Sequence, residues 1–480
     1  MSGTNRANFA GSLLFLLFLC FCLGSFLGRS FPYFLIFSLA FLFFFIASYI
    51  SYRKNRLFVS NIFILTLFIS LGALWQIPSS SGKIDKFLNQ KQDFVLKVIS
   101  LPQEHKRQNI FKAEIKKVNS TSFKFRVKAR DYTKSLEYLT LYQVRAKLTK
   151  RKYHGRWFYY LWIKSKVKPK GLPLGILAKS ARKTSFYILD VFKTNCRSQA
   201  YAFLSAVFLG RRELLDEEKD FFMQAGLSHL LAISGLHMGL TSLILFFILR
   251  FFNINFRVCL VASLIFLLFY TFLTGASSST LRAVIMYSAF VVSFFLKRKT
   301  HPLNSLALAG FVILAWEPRA IFSVGFQLSF TSVLAIILGF RIFPLKASSN
   351  SLLNSLKQIF FCSLFVSLSI SPLVSYYFGK VYILSLVHNM FLIPYFSFIL
   401  TVNFLLLIFS PFPFIAQSLG EVLSWLISFF ITLVKILGSL KFSFISYTFS
   451  LKGVFAYYLS LIFAGSILRP LLKFDKNTLL

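Results

Sequence analysis

Residues 227–249 read LSHLLAISGLHMGLTSLILFFIL, without one Lys, Arg, Asp or Glu. A helix of this length crosses the ~30 Å hydrocarbon layer of a bilayer, so the stretch predicts a membrane span. Beyond it the chain stays almost continuously apolar, and the same reading places spans near 258–274, 281–296, 303–316, 320–340, 358–378, 383–409, 421–438 and 453–469. Toward the N-terminus three more apolar segments open the chain: Phe9 to Leu27, Tyr33 to Ile50 and Leu57 to Trp75. Arg6 precedes the first, as in a signal peptide, but no small-residue cleavage pattern follows, and it is read as an uncleaved span. The expected fold class is an all-α polytopic membrane protein of about 12 spans with a small all-β domain inserted.

Composition points the same way. Of 480 residues 56% are apolar types and 14% charged, and Phe occurs 63 times, which excludes a soluble enzyme as the default reading. Lys and Arg number 54 against 15 Asp and Glu, a formal charge of +39, far beyond what solubility or loop orientation requires. Such an excess implies a polyanionic partner. The five cysteines, Cys20, Cys22, Cys196, Cys259 and Cys362, lie in or beside apolar runs and form no metal or redox framework.

Between the third and fourth apolar segments the character reverses. Residues 79–183 hold 27 Lys and Arg against 6 Asp and Glu, a net of +21. Four runs alternate as half-buried strands do: Phe94 to Ile99, Ile110 to Val118, Phe123 to Ala129 and Leu141 to Leu148. In the third, Phe123, Phe125, Val127 and Ala129 take one face and Lys124, Arg126, Lys128 and Arg130 the other. A small antiparallel barrel, OB-like, is expected over 78–170, with Arg145 and Lys147 extending its cationic side. The aromatics Tyr132, Tyr138, Tyr142, Tyr153, Trp157, Tyr159 and Trp162 are either stacking platforms for bases or a belt at the membrane interface. After the Pro/Gly-rich break at 168–175, the segment to Phe192 reads as an interfacial amphipathic helix. Ala200 to Leu209 is too short to cross and is either re-entrant or laid along the surface. Four regions result: three spans over 1–77, the barrel over 78–170, amphipathic and re-entrant helices over 171–226, and a helical channel domain over 227–480.

Arg53, Lys54 and Arg56 stay cytoplasmic by the positive-inside rule, so the barrel is expected on the outer face. The later crossings then put Arg250 and Arg257, Lys297, Arg298 and Lys299, Arg341, Lys346 and Lys357, and the tail with Lys473 and Lys476 inside.

Six stretches carry a resemblance. The run from Phe203 to Arg212 and that from Gly226 to Gly239, around Ser228, His229, Ile233, Ser234, Gly235 and His237, resemble the signature of the ComEC family of competence channels. Thr274 to Ala283, Ser323 to Phe330, and the stretch from Phe378-Gly379 to Pro394 with His388 and Asn389 look like the same family, as does the aromatic run after Gly155. Arg211 follows Gly210 where the family often has Asp, and Tyr159 stands where an Asp is usual. Many members continue into a metallo-β-lactamase-like domain; here no His-x-His-x-Asp-His cluster occurs, and a separate nuclease is expected for any hydrolysis of the other strand.

Read physically, His229 and His237 lie eight apart, roughly on one helix face, with Ser234-Gly235 between them. They either line a polar path, as intramembrane polar groups often do, or bond to carbonyls of helices that the Ser-Gly pair lets approach. No third ligand has zinc spacing. Around Gly275, Ser277 and its neighbours are cap candidates for a helix with Arg282 in its first turn, either a phosphate site or an ordinary cap with a snorkelling Arg. Gln327 and Ser329, and His388 with Asn389, are pore-lining or interhelical glue.

The resemblance implies an inner-membrane channel that passes single-stranded DNA into the cytoplasm, with a cytoplasmic helicase and an outer DNA receptor as partners. No Gly-rich phosphate loop is present, so the driving force comes from a partner or the ion gradient. No cofactor or catalytic residue is expected, and a homo-oligomer stays open. Two rivals remain: a transporter of another anionic polymer or lipid, and an intramembrane hydrolase using Ser234 or Ser277 with His229 or His237.

Overall fold

The computed structural model describes residues 14–25, 66, 68–72, 87–98, 103–105, 108–119, 121–132, 141–153, 156–163, 168–169, 176–211, 214–215, 218–299, 301–345, 351–440 and 442–471. The expected span Tyr33 to Ile50 lies outside the described residues, as do most of Leu57 to Trp75 and the ends of Phe9 to Leu27.

Alternation of apolar and charged residues builds the small domain. β1 (Lys91–Val98), β2 (Gln103–His105), β3 (Gln108–Val118), β4 (Thr121–Asp131), β5 (Leu141–Tyr153), β6 (Arg156–Ile163) and β7 (Lys168–Pro169) form one sheet. β1 pairs antiparallel with β3 and with β5, β3 with β4, and β5 with β6, while β4 and β6 run parallel. The ring of pairings β1-β3-β4-β6-β5-β1 closes five strands into a barrel, which leaves those strands no free edge. Its interior takes every second residue: Phe94, Leu96 and Val98, then Ala113 and Ile115, Val127 and Ala129, Val144, Ala146 and Leu148, and Leu161 with Ile163. Tyr142 belongs to this core, a correction to its expected place among rings that stack on bases or form an interface belt. It falls in phase with Val144 and Ala146, whereas Arg145 and Lys147 alternate outward.

The rest is helical. α1 (Leu14–Ser25), α2 (Ile176–Asn195), α3 (Ser198–Leu209), α4 (Glu218–Gln224), α5 (Gly235–Phe251), α6 (Phe256–Leu273), α7 (Ser278–Phe295), α8 (Pro302–Trp316), α9 (Val324–Ile342), α10 (Ser351–Phe378), α11 (Ser385–Phe409), α12 (Pro413–Ser439) and α13 (Leu451–Leu471) follow in order. A two-residue ladder pairs β8 (Lys380–Val381) with β9 (Ile445–Ser446). Six of these helices, α6, α7, α9, α10, α11 and α12, are long and apolar enough to cross a membrane. α1, α3, α5, α8 and α13 are shorter apolar helices.

α2 is amphipathic: Ala181, Ser185, Ile188, Leu189 and Phe192 are buried, while Lys183, Tyr187, Asp190 and Lys193 are exposed. α3 is apolar on all sides and is accordingly interior, with Ala200 and every residue from Phe203 to Leu209 buried. This burial corrects the expectation that the segment is laid along the surface. Close approach of α2 to α12 depends on Gly420, where a Cβ would stand 2.1 Å from the Asn195 carbonyl oxygen.

Pro372 interrupts α10 and has no N–H for the Leu368 carbonyl. The freed Leu368 carbonyl is taken by α13, where Tyr457 donates its hydroxyl to it at 2.9 Å, and Tyr458 donates to the neighbouring Ser369 O at 2.8 Å. Both backbone oxygens keep a partner in a region without bulk water.

Candidate functional site

Three serine-capped helix N-termini meet at one end of the bundle. Ser277 caps α7, accepting from Thr280 N at 3.3 Å, and Ser323 caps α9, accepting from Phe326 N at 3.2 Å. Ser234 caps α5 through a capping box in which His237 stands where Glu is usual: Ser234 N donates to His237 Nδ1 at 3.3 Å, and the Ser234 hydroxyl accepts from the His237 backbone. The Ser234 hydroxyl also lies 2.9 Å from that ring nitrogen. Residues 227–234 are a turn, not helix, so His229 and His237 share no helix face, a correction to the sequence reading. Ser228 and His229 are exposed, whereas His237 is buried with its ring edge-on to Phe396 at 5.0 Å.

Arg282 ties the three ends together. It lies one turn inside α7, just past the expected first turn, and is 6% exposed. Its Nη1 donates to the Ser329 carbonyl in α9. Its Nη2 would be 2.7 Å from a Cβ built on Gly235, so the glycine makes room for a guanidinium rather than for a helix backbone. Ser329 in turn donates to the Ser279 hydroxyl at 3.2 Å. Arg282 has no carboxylate partner among the described residues, and Glu317 is the one acidic residue in the sequence between Asp220 and Glu421.

The remaining motifs join the same end. Gln327 donates to Ile321 O at 2.9 Å and accepts from the Tyr377 hydroxyl at the end of α10. Tyr382 packs beneath Gly226, whose φ is +75° and whose Cβ would touch the ring at 3.0 Å; burial raises its hydroxyl above the ordinary phenol range. His388 donates from Nδ1 to Ala225 O at 3.0 Å, tying α11 to the turn after α4. Ser375 donates to Tyr447 O and accepts from Phe449 N at 3.1 Å, binding the loop after α12 to α10. The turn before α7 uses left-handed backbone at Gly275 (φ +81°), and Gly210 lies beside Ile233 and Thr274. The Oδ1 of Asn389 is buried and unpartnered among the described residues. Sequence reasoning missed Tyr377, Tyr382, Ser375 and Tyr447; the first two flank Phe378-Gly379, so the signal was adjacency to a motif.

The five motif stretches of the helical part therefore gather where α5, α7, α9 and α11 begin and α6 and α10 end. The basic groups Arg250, Arg257, Lys297 to Lys299, Arg341 and Lys357 stand at the opposite helix ends. Partial positive charges of converging N-termini and an uncompensated guanidinium form an electropositive site able to hold a phosphodiester or other anion. Among the described residues no cluster of His, Cys, Asp and Glu could hold a metal ion.

The barrel carries a second cationic surface. Arg130 lies over the Trp162 ring at 4.8 Å and the Tyr160 ring at 5.8 Å. Trp162 donates its indole N–H to Thr149 at 2.8 Å and stacks with Tyr132 at 6.3 Å. Pairing puts Arg130, Trp162, Lys147 and Lys91 in one cross-strand row, with Lys128 one row away; Lys124 and Arg126 occupy further alternate positions of β4. Lys150 lies over Tyr159 at 5.4 Å.

Residues 207–471, more than half of the chain, match the family described as "Competence protein". The chain is 33% identical over 183 residues to "ComE operon protein 3" of Bacillus subtilis (strain 168), covering 38% of this chain and 23% of that one. It is 30% identical over 252 residues to "Recombination protein 2" of Haemophilus influenzae (strain ATCC 51907 / DSM 11121 / KW20 / Rd), covering 47% and 31%. An uncharacterized protein of Aquifex aeolicus (strain VF5) is 33% identical over 175 residues, covering 35% and 41%. The similarity thus spans less than half the length of each relative, and no solved structure matches.

Proposed function

This chain belongs to the competence protein family, and from that premise we propose that it forms an inner-membrane passage through which single-stranded DNA enters the cytoplasm. The observation that carries the reading is Arg282, a buried guanidinium without a carboxylate partner among the described residues, set among three positive helix ends where the family's motifs meet. Burying an unpaired cation at helix depth is costly, and a polyanionic cargo passing the site supplies the missing charge.

The barrel supports the same reading. Its ring order, with β4 and β6 parallel, is that of an OB-type barrel, a fold that commonly takes single-stranded nucleic acid. Trp162, Tyr132 and Arg130 offer stacking and cationic groups along one row, and Arg145 and Lys147 extend the charge. With basic loops inside, the motif end and the barrel face outward, and the C-terminus is cytoplasmic. A cytoplasmic helicase, an outer DNA receptor and a separate nuclease are the partners this reading calls for.

Deleting the gene is expected to abolish entry of labelled DNA into the cytoplasm while surface binding persists. Complementation with Arg282→Leu should fail to restore entry; full entry with that variant would overturn the proposal. The 2.9 Å contact between Ser234 and His237 favours a second reading, an intramembrane hydrolase. Both groups are already engaged in capping α5, so Ser234→Ala is expected to weaken the passage, whereas a hydrolase would lose all activity.

A further inference from the structure

α11 carries a polar stripe that its surroundings do not satisfy. Asn389, Phe396 and Asn403 follow at seven-residue intervals and share one helix face. Asn403 is fully buried, and neither its Oδ1 nor its Nδ2 has a hydrogen-bond partner among the described residues; the Oδ1 of Asn389 is buried and unpartnered in the same way. A bare polar group in an apolar helical core costs more than a made hydrogen bond returns, and interhelical glue would require the partners that the Asn403 amide and the Asn389 Oδ1 lack among the described residues. Between them stands Phe396. Its ring is 5.0 Å from His237, 6.4 Å from Phe203 and 6.0 Å from Phe430, and Phe222 meets both Phe203 and Phe430. Four fully buried rings from α3, α4, α11 and α12 thus close the interior next to the Ser234–His237 cap. Pro394, two residues before Phe396, has no N–H for the Met390 carbonyl, so α11 bends most readily there.

We infer that Phe396 is the hydrophobic gate of the passage, that α11 swings about Pro394 to open it, and that Asn389 and Asn403 are rungs on either side of the gate, hydrogen-bonding first water and then the cargo. Withdrawing one ring from its cluster wets both amides together, which gives α11 two discrete packings. The inference rests on the proposed function for the identity of the cargo, whereas the gate itself can be read without DNA.

The test uses the full chain in liposomes loaded with a self-quenching anionic dye, with no DNA present. Phe396→Ala should raise dye leak about tenfold over the unmodified protein. Asn403→Leu should raise the thermal unfolding midpoint and, combined with Phe396→Ala, reduce the leak. Should Phe396→Ala fail to fold, Phe396→Leu in an Asn403→Cys chain should speed modification at position 403 by a charged thiol reagent about tenfold, read from the mass of that peptide. Tight liposomes with unchanged modification, or a lowered midpoint for Asn403→Leu, would overturn the gate. If gate variants leak but the unmodified protein never passes single-stranded DNA, the cargo reading falls and the gate stands. If DNA passes and both Phe396 variants stay tight, the gate falls and the cargo reading stands.

Discussion

Arg282 and Gly235 form a single device at the scale of individual side chains. The guanidinium fills the space that a methyl group at 235 would occupy, so Gly235→Ala is expected to displace it at a cost of about 1–3 kcal/mol and to depress DNA entry. Arg282→Leu separates structure from function more cleanly. Removing a buried, unpaired charge should leave the unfolding midpoint unchanged or higher, while entry of labelled DNA falls about 10–100-fold for want of one charged contact. A midpoint that drops with entry intact would mean the guanidinium serves packing alone. Gly235 and Arg282 stand out in the sequence as motif residues. Their contact did not, because they lie 47 positions apart and helical periodicity relates only neighbours along a chain.

Among the helices, α10 and α13 show how an interrupted backbone is completed by a neighbour. Tyr457 donates to the Leu368 carbonyl left without a partner by Pro372 and Tyr458 to the neighbouring Ser369 carbonyl, and replacing both by Phe is expected to cost about 1–3 kcal/mol in detergent-solubilised protein. In a Pro372→Ala background α10 makes its own bond to Leu368 O, so the same double replacement should cost much less. A full cost in both backgrounds would show that the tyrosines act elsewhere. Most helix positions could be read from apolar run length, and the observed bounds lie within a few residues of the expected ones for α6, α7, α8 and α11. α10 and α12 begin seven and eight residues before their expected starts, and α5 begins eight after its own. Residues 227–234 are as apolar as a helix start, yet the Ser234 cap begins the helix eight residues later. Hydropathy reports burial, not the hydrogen-bonding choice that sets a helix end.

For the whole molecule the charge distribution makes a quantitative demand. If the barrel follows a phosphate backbone, binding of single strands by the full protein should weaken with salt at a log-log slope of about −0.7 per contact, and Trp162→Ala should cost about 1–3 kcal/mol at any salt concentration. A flat salt response would end the electrostatic part of the reading. Length, apolar fraction, the +39 charge and strand alternation were enough to predict a polytopic helical protein bearing a basic β domain, because burial and lipid contact act on each segment separately. The parallel pairing of β4 with β6, the interior position of α3, the capping role of His237 and the meeting of five distant motifs around Arg282 were decided only by tertiary structure. Each depends on which segments become neighbours in space, and a linear pattern of apolar and charged residues states the need for a partner without naming it.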